Sequence, residues 1–459
     1  MGHEAPGAQR EFKVFLGRCQ TYDVQEIQGV IARGLDELGV VVAGENIVIK
    51  PNLVFAHPVH GRNGYTRPEV VEGLVRCLRQ RSAGMRITLV EKCGVGVPTR
   101  VMFRRAGYYG LSRRLGVKLQ PVEEDYLAPV TLEKGKVHRS LRLSRTMVHS
   151  DYLVFMPKLK TNVLSGGVTA ALKLNMGSIT DRERMQGHHH QLDAKIVDIL
   201  EAACPRLIVT DAVEIAAGGN QMTQGGYHLG LIIMATDPVA HDLVAATILG
   251  LDPGKVGHLQ EALSRGYGPP GIDAVELTGD VTLEEAGTVV RELIQAEPIL
   301  VHDFPSPMRI TSGQPYCAGG CHGVFLDWLY MIKDRQPHKI DRFPPLQVVI
   351  GEPGKVVEGN VLAVGRCACE SGKLRGRVSR IKGCPPTHRG IILHMWLRHW
   401  ILGPFVRAEL VADAYLVYPL IQFKTWLKRL FTGGGRRNVL GKGRQGKYGT
   451  DGRTGHPAG

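Results

Sequence analysis

NIVIKPN, residues 46–52, is an apolar run of strand length that passes directly into polar residues. Other runs of this kind recur along the chain with helical patterns between them, which predicts an α/β fold. The helical pattern after Asp23 carries its apolar residues on one stripe, so we expect an open, mostly parallel sheet with covering helices. The other runs are FKVFLG (12–17), RITLVE (86–91), DYLVFM (151–156), RLIVTD (206–211) and GLIIMATD (230–237).

Polar residues stand where these runs end. In an open α/β sheet, ligands bind outside the carboxyl ends of the strands. Each residue alone is readily explained as a solvated loop residue, but the whole set favours a binding site. We therefore predict a site for a phosphate or carboxylate group near the strand ends. Its residues include Lys50, Asn52, Glu91, Lys158, Lys160, Asp211 and Asp237.

A glycine-rich segment, SGGVTAALKLNMG, follows the lysines. Gly166 and Gly167 precede an apparent helix with Thr169 in its first turn, and backbone N–H groups at a helix start attract anions. Lys158, Lys160 and Lys173 would supply charge-assisted donors to the same anion. The spacing is not that of a P-loop, and no complete nucleotide fingerprint is present.

Histidines and aspartates add candidate groups for proton transfer or metal binding. His188, His189 and His190 precede a helical pattern, and His188 is the favoured catalytic candidate because it is near the glycine-rich segment. Asp237 is also a plausible helix cap, and Asp242 lies on the helix that follows. Ordinary structural roles remain open for all of them.

Five of the nine cysteines cluster near the C-terminus. Cys317, Cys321, Cys367 and Cys384 are predicted to bind a [4Fe-4S] cluster, because glycine and proline beside the ligands allow a close approach of the backbone. Structural zinc is the main alternative, although it usually uses paired short cysteine spacings. Uncoordinated thiols are the third, and Cys369 is left over.

Charge and composition limit the function classes. From Lys424 onward, nine Lys or Arg stand against Asp451, so much of the formal net charge of +14 belongs to the tail and does not indicate nucleic-acid binding. The N-terminus has no secretory signal pattern, which predicts a cytoplasmic, reducing location. The predicted units are an α/β domain (10–302), a cysteine-rich domain (303–393), amphipathic helices (394–432) and a disordered basic tail (433–459).

The predicted C-terminal helices mix aromatic and basic residues. Trp396, Trp400 and Trp426 are interleaved with residues such as Arg398 and Lys424. The interpretation that we favour is a pair of helices covering the cluster domain or a partner subunit. The alternative is peripheral binding to an anionic membrane surface, because the apolar stretches are too short to span a bilayer.

Several of these motifs together resemble domain-of-unknown-function family number 362, over about residues 10–280. The motifs are IKPNLV (49–54), MPKLKTN (156–162), LKLNMGSI (172–179) and TDPVAHD (236–242). The resemblance implies a cluster-binding module in some members, and GCPP around Cys384 is similar to a ligand motif of hydrogenase and respiratory-complex small subunits. It implies a pocket formed by Lys50, Asn52, Lys158, Lys160, Lys173, Asn175, Asp237 and Asp242, with His188 or a neighbour.

Two functional hypotheses follow. The first is an iron-sulfur oxidoreductase that receives electrons from a donor protein and acts on a small anionic substrate in the lysine pocket. The second is a non-enzymatic electron carrier or assembly subunit that docks on a larger redox complex through residues 394–432.

Overall fold

A computed structural model shows that the described part of the chain folds around two main β-sheets, a larger one of ten strands and a smaller one of four, with a separate two-stranded antiparallel sheet. Helices cover both faces of the larger sheet and pack on the smaller one. The residues that the structure describes are 11–56, 62–82, 84–95, 97–162, 167–187, 191–217, 224–293, 300–317, 320–401 and 411–431.

The strands form wherever an apolar run can be buried. In chain order they are β1 (Phe12–Arg18), β2 (Asn46–Pro51), β3 (Arg86–Glu91), β4 (Lys118–Pro121), β5 (Leu127–Thr131), β6 (Ser140–Ser144), β7 (Tyr152–Met156), β8 (Lys158–Asn162), β9 (Gly167–Thr169), β10 (Leu207–Ala217), β11 (Gly225–Ala235), β12 (Val275–Gly279), β13 (Arg309–Ser312), β14 (Gln347–Ile350), β15 (Val357–Val364) and β16 (Leu374–Ile381).

The α-helices occupy most of the connections between strands. They are α1 (Val24–Glu37), α2 (Pro68–Arg81), α3 (Thr99–Arg105), α4 (Tyr108–Leu115), α5 (Arg145–Val148), α6 (Ala171–Leu174), α7 (Asp181–Met185), α8 (Leu192–Ala202), α9 (Pro238–Ile248), α10 (Gly257–Ser264), α11 (Leu283–Leu293), α12 (Cys321–Arg335), α13 (Arg366–Glu370), α14 (His388–His399) and α15 (Tyr418–Phe431). Single 3₁₀ turns lie at Arg62–Gly64, Val122–Glu124, Asn175–Ser178, Pro253–Lys255, Ile272–Ala274, Val301–Asp303 and Pro337–Lys339, and a π-turn at Asp413–Val417.

The larger sheet has the strand order β12-β1-β11-β10-β7-β2-β3-β4, with β8 and β9 attached beside β10. Strands β10, β7, β2, β3 and β4 pair in parallel, whereas β11 is antiparallel to both of its neighbours. The predicted α/β class with an open, mostly parallel sheet is therefore confirmed. The carboxyl ends of the central parallel strands lie at one edge, which positions the predicted site.

Two separate hydrophobic cores cover the two faces of this sheet. Helix α1 is capped by the Asp23 side chain, which accepts from the backbone N–H groups of Gln25 and Glu26, and it buries Ile27 and Ile31 on one face. Helices α8 and α9 bury their apolar residues on the other face. A sheet covered on both faces explains why its strands are nearly continuous apolar runs.

The smaller sheet contains β13, β14, β15 and β16, and every neighbouring pair is parallel. Its main core takes Phe325 and Trp328 from α12, and Ile391 and Met395 from α14. The predicted boundary between residues 393 and 394 thus falls inside α14. No helix of the described part of the chain is long and apolar enough to cross a bilayer.

Candidate functional site

The polar strand ends of the larger sheet meet in its buried interior. Lys50 at the end of β2, Lys158 and Lys160 on β8, and Asp211 in β10 are each at most 1% exposed, and Glu91 at the end of β3 is 2% exposed. Buried charges need partners, since an isolated ion loses most of its hydration free energy. The partner of each amine therefore determines what it can do.

Lys50 forms an ion pair with Glu91. Its Nζ donates to both carboxylate oxygens at 2.9 Å, and the same carboxylate accepts the backbone N–H groups of Leu53 and Lys92. Gly177 packs directly on the pair, because a Cβ there would lie 2.0 Å from Glu91 Oε1. Burial lowers the pKa of Lys50 against the opposing effect of Glu91. This lysine is charge-compensated by the protein.

Lys158 is compensated in the same way by Asp211. The Lys158 Nζ donates to Asp211 Oδ1 at 2.9 Å and to the Tyr22 hydroxyl at 2.8 Å, and that hydroxyl donates to Asp211 Oδ1. The backbone N–H of Arg67 donates to the second carboxylate oxygen at 2.9 Å. All the groups of this triad satisfy one another.

Lys160 has no carboxylate among its hydrogen-bond partners in the described residues. Its Nζ donates to the Gly64 carbonyl oxygen at 2.7 Å and to Asn52 Oδ1 at 3.2 Å, both neutral acceptors. Burial and the charge of Lys158 together lower its pKa to about 7, against the opposing effect of Glu91. This amine therefore changes its charge near neutral pH.

Lys173 lies nearby with its Nζ buried and without a hydrogen-bond acceptor among the described residues, although its aliphatic stem is partly exposed. Burial and the charge of Lys160 hold its pKa well below the usual value, opposed by Asp327 and Asp193. Asn175 donates through Nδ2 to the Ile196 carbonyl oxygen, while its buried Oδ1 finds no donor in the described structure. Lys160 and Lys173 are thus the amines available to an anion.

The helix predicted after the glycines begins later than the sequence indicated, while the anion-binding role of this segment stays a prediction. Gly167 and Thr169 belong to the short strand β9, which pairs with β8, and α6 begins only at Ala171. The carboxylate of Asp242 already accepts the backbone N–H groups of Ala171 and Leu172. The carboxylate of Asp242 therefore occupies the helix start at which the sequence predicted a bound anion.

The aspartates after β11 have helix-capping roles. Asp237 caps α9 by accepting from the backbone N–H groups of Val239 and Ala240, as the sequence predicted for a cap. Besides capping α6, Asp242 contacts His241 Nδ1 at 2.7 Å, and His241 Nε2 contacts Thr210 Oγ1. Gly166, His188, His189 and His190 lie outside the described residues, so their predicted roles stay predictions.

The cysteines gather at the carboxyl edge of the smaller sheet. Cys317 follows β13, Cys321 is the first residue of α12, Cys367 lies in α13 after β15, and Cys384 follows β16. Three separate connections therefore deliver four thiols to one edge.

Electrostatic proximity separates four of these thiols from the fifth. Burial raises the pKa of Cys321 to about 12, with further contributions from the charges of Cys317, Cys384 and Cys367. Cys369 instead directs its Sγ to the carbonyl oxygens of Ala363 and Ile381, at 3.6 and 3.7 Å. The four residues chosen from the sequence as ligands lie together, and Cys369 lies apart.

The sulfur of Cys321 packs closely on the backbone of Gly365. A Cβ on Gly365 would lie 2.3 Å from Cys321 Sγ, so only glycine fits there. His322 stabilises the neighbouring loop, because its Nδ1 accepts the backbone N–H of Cys317 at 3.1 Å. Burial lowers the pKa of His322 to about 4, which keeps the imidazole neutral as an acceptor.

Zinc and a [4Fe-4S] cluster would hold four thiolates at different distances from one another. In the described residues, no group of three or more His, Cys, Asp and Glu side chains has the arrangement of a metal-ion site. Four thiolates on one zinc ion would lie about 3.8 Å apart, given a Zn–S distance of about 2.3 Å. A four-iron cube separates its thiolates more widely, since iron and sulfide lie between them. The [4Fe-4S] cluster and the zinc alternative therefore both stay predictions.

The family comparison covers the lysines and not the cysteines. Residues 47–247 match the family model of a domain of unknown function (DUF362). The match contains Lys50, Lys158, Lys160 and Lys173, and it ends before the first clustered cysteine. It supports the resemblance for the α/β domain, and an iron-sulfur module lies outside it.

Other comparisons add little. No curated protein matches the chain. Solved structures with partial similarity include the lactate racemase apoprotein from Thermoanaerobacterium thermosaccharolyticum, at 9% identity over 75% of this chain and 69% of that chain, with a TM-score of 0.33. A protein from Thermotoga maritima has 12% identity, 72% coverage of both chains and the same TM-score. A loganic acid methyltransferase bound to SAH has 12% identity, coverages of 60% and 71%, and a TM-score of 0.22. Such scores are too low to carry an argument.

Sequence reasoning missed the partners of the lysines in the DUF362-matching region. Glu91 and Asp211 were recognisable as polar strand ends, and a carboxylate stabilises a buried lysine, so this signal was present. Tyr22 carried no such signal, because it follows β1 and contacts Asp211 across 189 positions of the chain. A surface depression of about 580 Å³ lies beside Asn46 on β2 and Arg86 on β3, at the end of these strands opposite to the lysines.

Proposed function

We propose that this protein is an iron-sulfur oxidoreductase acting on a small substrate with a phosphate or carboxylate group. The observation that carries the proposal is the separation of the cysteines: Cys317, Cys321, Cys367 and Cys384 converge while Cys369 points back into the sheet. When bound at these thiols, a [4Fe-4S] cluster would supply single electrons.

The substrate would bind at Lys160 and Lys173. Lys50 and Lys158 already have carboxylate partners at 2.9 Å, so their charges are compensated. Lys160 donates only to neutral oxygens, and Lys173 has no acceptor in the described structure. An anion between these two amines would relieve their mutual repulsion and form charge-assisted hydrogen bonds. This narrows the substrate pocket from four lysines to two.

Lys160 would also move a proton. With a pKa near 7, the amine exists in both protonation states at neutral pH, which is the condition for efficient proton transfer. A reduction that places negative charge on the substrate needs a proton donor of this kind. Lys160 would donate that proton from Nζ, and Asn52 and Gly64 would orient the amine through their oxygens.

Helix α12 connects the two proposed sites. It begins at Cys321, and Met331 near its other end packs on Phe55, three residues beyond Asn52. Between them, Asp327 lies within electrostatic range of Lys173. Cluster and substrate would thus share one rigid element.

The decisive experiment is anaerobic purification followed by iron and sulfide analysis and EPR spectroscopy. We expect Cys384→Ser to abolish the cluster, because it removes a ligand, and Cys369→Ser to leave iron and sulfide content near the wild-type value. A wild-type protein purified without oxygen that contains neither iron nor sulfide would refute the proposal.

A second candidate function is an electron carrier or assembly subunit that docks on a larger complex. The exposed apolar face of α14, which includes Leu397 and Trp400, favours it. Thermal stabilisation by small anions distinguishes the two functions. A bound anion at 100 times its dissociation constant stabilises by about 2.7 kcal/mol, and a docking subunit without a pocket should show no such shift. Lys160→Met combined with Lys173→Met should abolish the stabilisation if the enzyme proposal is right.

A further inference from the structure

Helix α14 is apolar on two opposite faces. Ile391 and Met395 are fully buried in the core of the smaller-sheet unit. On the other side, Leu393, Trp396 and Leu397 follow the spacing of a single helical stripe. Trp400 directly follows the helix in a left-handed conformation, and the exposed fractions are 69% for Leu397 and 86% for Trp400. Packing in the core explains the apolar residues of the buried face but not those of the exposed face.

Helix α15 and the π-turn before it present a second exposed apolar stripe. Leu416, Leu420 and Phe423 lie on one side of it and are each more than half exposed. Trp426 stacks on Phe423, with the ring centroids 5.7 Å apart. Hydrophobic side chains of this size in a contiguous patch indicate an interaction site.

One contact joins the two stripes, and two others hold the second stripe to the unit of the larger sheet. The Arg389 guanidinium of α14 lies over the Tyr415 ring of the π-turn, 4.8 Å from its centre. The buried Asp413 is paired with Arg100 at 2.9 Å, and the side-chain amide of Gln422 donates to the Glu123 carbonyl oxygen. We call the exposed residues the apolar surface. They are Leu393, Trp396, Leu397, Trp400, Leu416, Leu420, Phe423 and Trp426.

Positive charge is concentrated in the same part of the chain. Residues 371–459 contain 17 Lys and Arg against three acidic residues, so they account for the whole formal net charge of +14. Arg398 on α14 and Lys424 on α15 are exposed beside the apolar side chains. Burial lowers the pKa of His399 at the end of α14, and the charges of Arg398 and of Arg377 on β16 lower it in the same direction. Basic groups therefore surround the apolar surface.

We propose that the apolar surface and its basic rim bind an anionic phospholipid bilayer, so that the protein associates peripherally with the membrane. Leucine and tryptophan side chains insert at the boundary of headgroups and acyl chains, while lysine and arginine attract anionic headgroups. A second copy of this chain is a poorer occupant, because two such basic rims would repel each other. A bilayer satisfies both the apolar and the charged features.

Vesicle co-sedimentation of the full-length protein tests the proposal. We expect binding to vesicles that contain phosphatidylglycerol, much weaker binding to pure phosphatidylcholine, and a decrease as salt screens the basic side chains. Leu397→Glu combined with Trp400→Glu should weaken binding by roughly tenfold or more, because each removes a large inserted side chain. Arg398→Gln combined with Lys424→Gln should weaken binding to the anionic vesicles alone.

Val41→Glu is the matched control, since Val41 is also an exposed apolar residue, at 81%, but lies outside the apolar surface. It should bind vesicles as the wild type does. The proposal is overturned if the wild type does not bind anionic vesicles, or if the Leu397→Glu and Trp400→Glu protein binds them unchanged. It is also overturned if sedimentation velocity shows a dimer that this double variant disrupts while vesicles bind neither protein. Iron content should be equal in all variants, which separates this test from that of the redox function.

Discussion

At the scale of single residues, the four lysines of the predicted pocket differ in what compensates their charge. Lys50 and Lys158 each have a carboxylate at 2.9 Å, which makes them parts of the folded framework. Lys160 and Lys173 have no carboxylate as a hydrogen-bond partner among the described residues. The folded state therefore bears the free-energy cost of burying their amines. A protein keeps such uncompensated groups where function requires them, so their pKa values are informative.

The stability of the protein should depend on pH through Lys160. Its pKa is about 7 when folded and about 10.5 when unfolded, so between these values the unfolded chain binds the proton and the folded protein does not. Stability therefore falls as the pH drops from about 10.5 to about 7, and this contribution stays constant below that. Lys160→Met should be more stable relative to wild type at pH 6 than at pH 10, by on the order of a few kcal/mol.

Urea unfolding of both proteins across this pH range measures the effect. If the free energies of unfolding of wild type and Lys160→Met changed in parallel with pH, the pKa of Lys160 would not be lowered in the folded protein. Phosphate added at saturating concentration should reduce the difference, because a bound anion favours the charged amine.

Gly365→Ala should impair cluster assembly. Gly365 has φ = 88°, a conformation that L residues rarely adopt, and a Cβ would lie 2.3 Å from Cys321 Sγ. The strain costs about 1–3 kcal/mol and displaces the thiol. Gly372→Ala is the control, because no atom lies within 4 Å of its added Cβ. Anaerobic iron analysis should show a clear loss for Gly365→Ala alone, and equal iron in both variants would contradict this account.

Residue identity allowed the lysines and the cysteines to be predicted, but not their partners. The amines were found because they follow apolar runs, which is a local pattern. Glu91, Asp211 and Tyr22 became partners only through the pairing of strands, which depends on the whole sheet. The separation of Cys369 from the other thiols is likewise set by how α13 packs on β15.

At the scale of elements, the segment after β8 shows how tertiary contacts override a local pattern. The glycines and the apolar residues after them favoured a helix with an open N-terminus. In the structure, β9 precedes the helix, because Gly167 and Thr169 pair with β8 in an antiparallel ladder. The shortened α6 then starts against Asp242, which no local pattern could identify as its cap.

Asp242→Asn should destabilise this element. The carboxylate accepts two backbone N–H groups of α6 and contacts His241, whereas an amide has only one acceptor oxygen. We expect a loss of about 1–2 kcal/mol in the free energy of unfolding. Asp252→Asn is the control, because Asp252 caps an exposed 3₁₀ turn and asparagine is an equally good cap there. Losses of the same size in both variants would show that the buried cap has no special role.

At the scale of the whole molecule, the alternation of apolar runs and helical patterns was sufficient to predict the α/β class. The antiparallel position of β11 was not predictable, because strand order depends on contacts between distant segments. The charges are also unevenly distributed along the chain. Residues 1–370 carry equal numbers of acidic residues and of Lys and Arg, and the excess of basic residues begins after Cys369. The basic excess thus belongs to the C-terminal part, near α14 and α15, and not to the lysine site.

If cluster and anion bind as proposed, they must influence each other through α12. Asp327 on this helix acts on Lys173, and Cys321 begins it. Adding an electron to the cluster increases negative charge near the site, so reduction should weaken binding of an anion, and by linkage a bound anion should lower the reduction potential. A tenfold difference in phosphate affinity between the two redox states corresponds to about 59 mV for one electron. Redox titration followed by EPR, with and without phosphate, measures the shift. Lys173→Met should remove it while the cluster signal remains, and a potential that is independent of bound phosphate in the wild type would mean that the two sites do not work together.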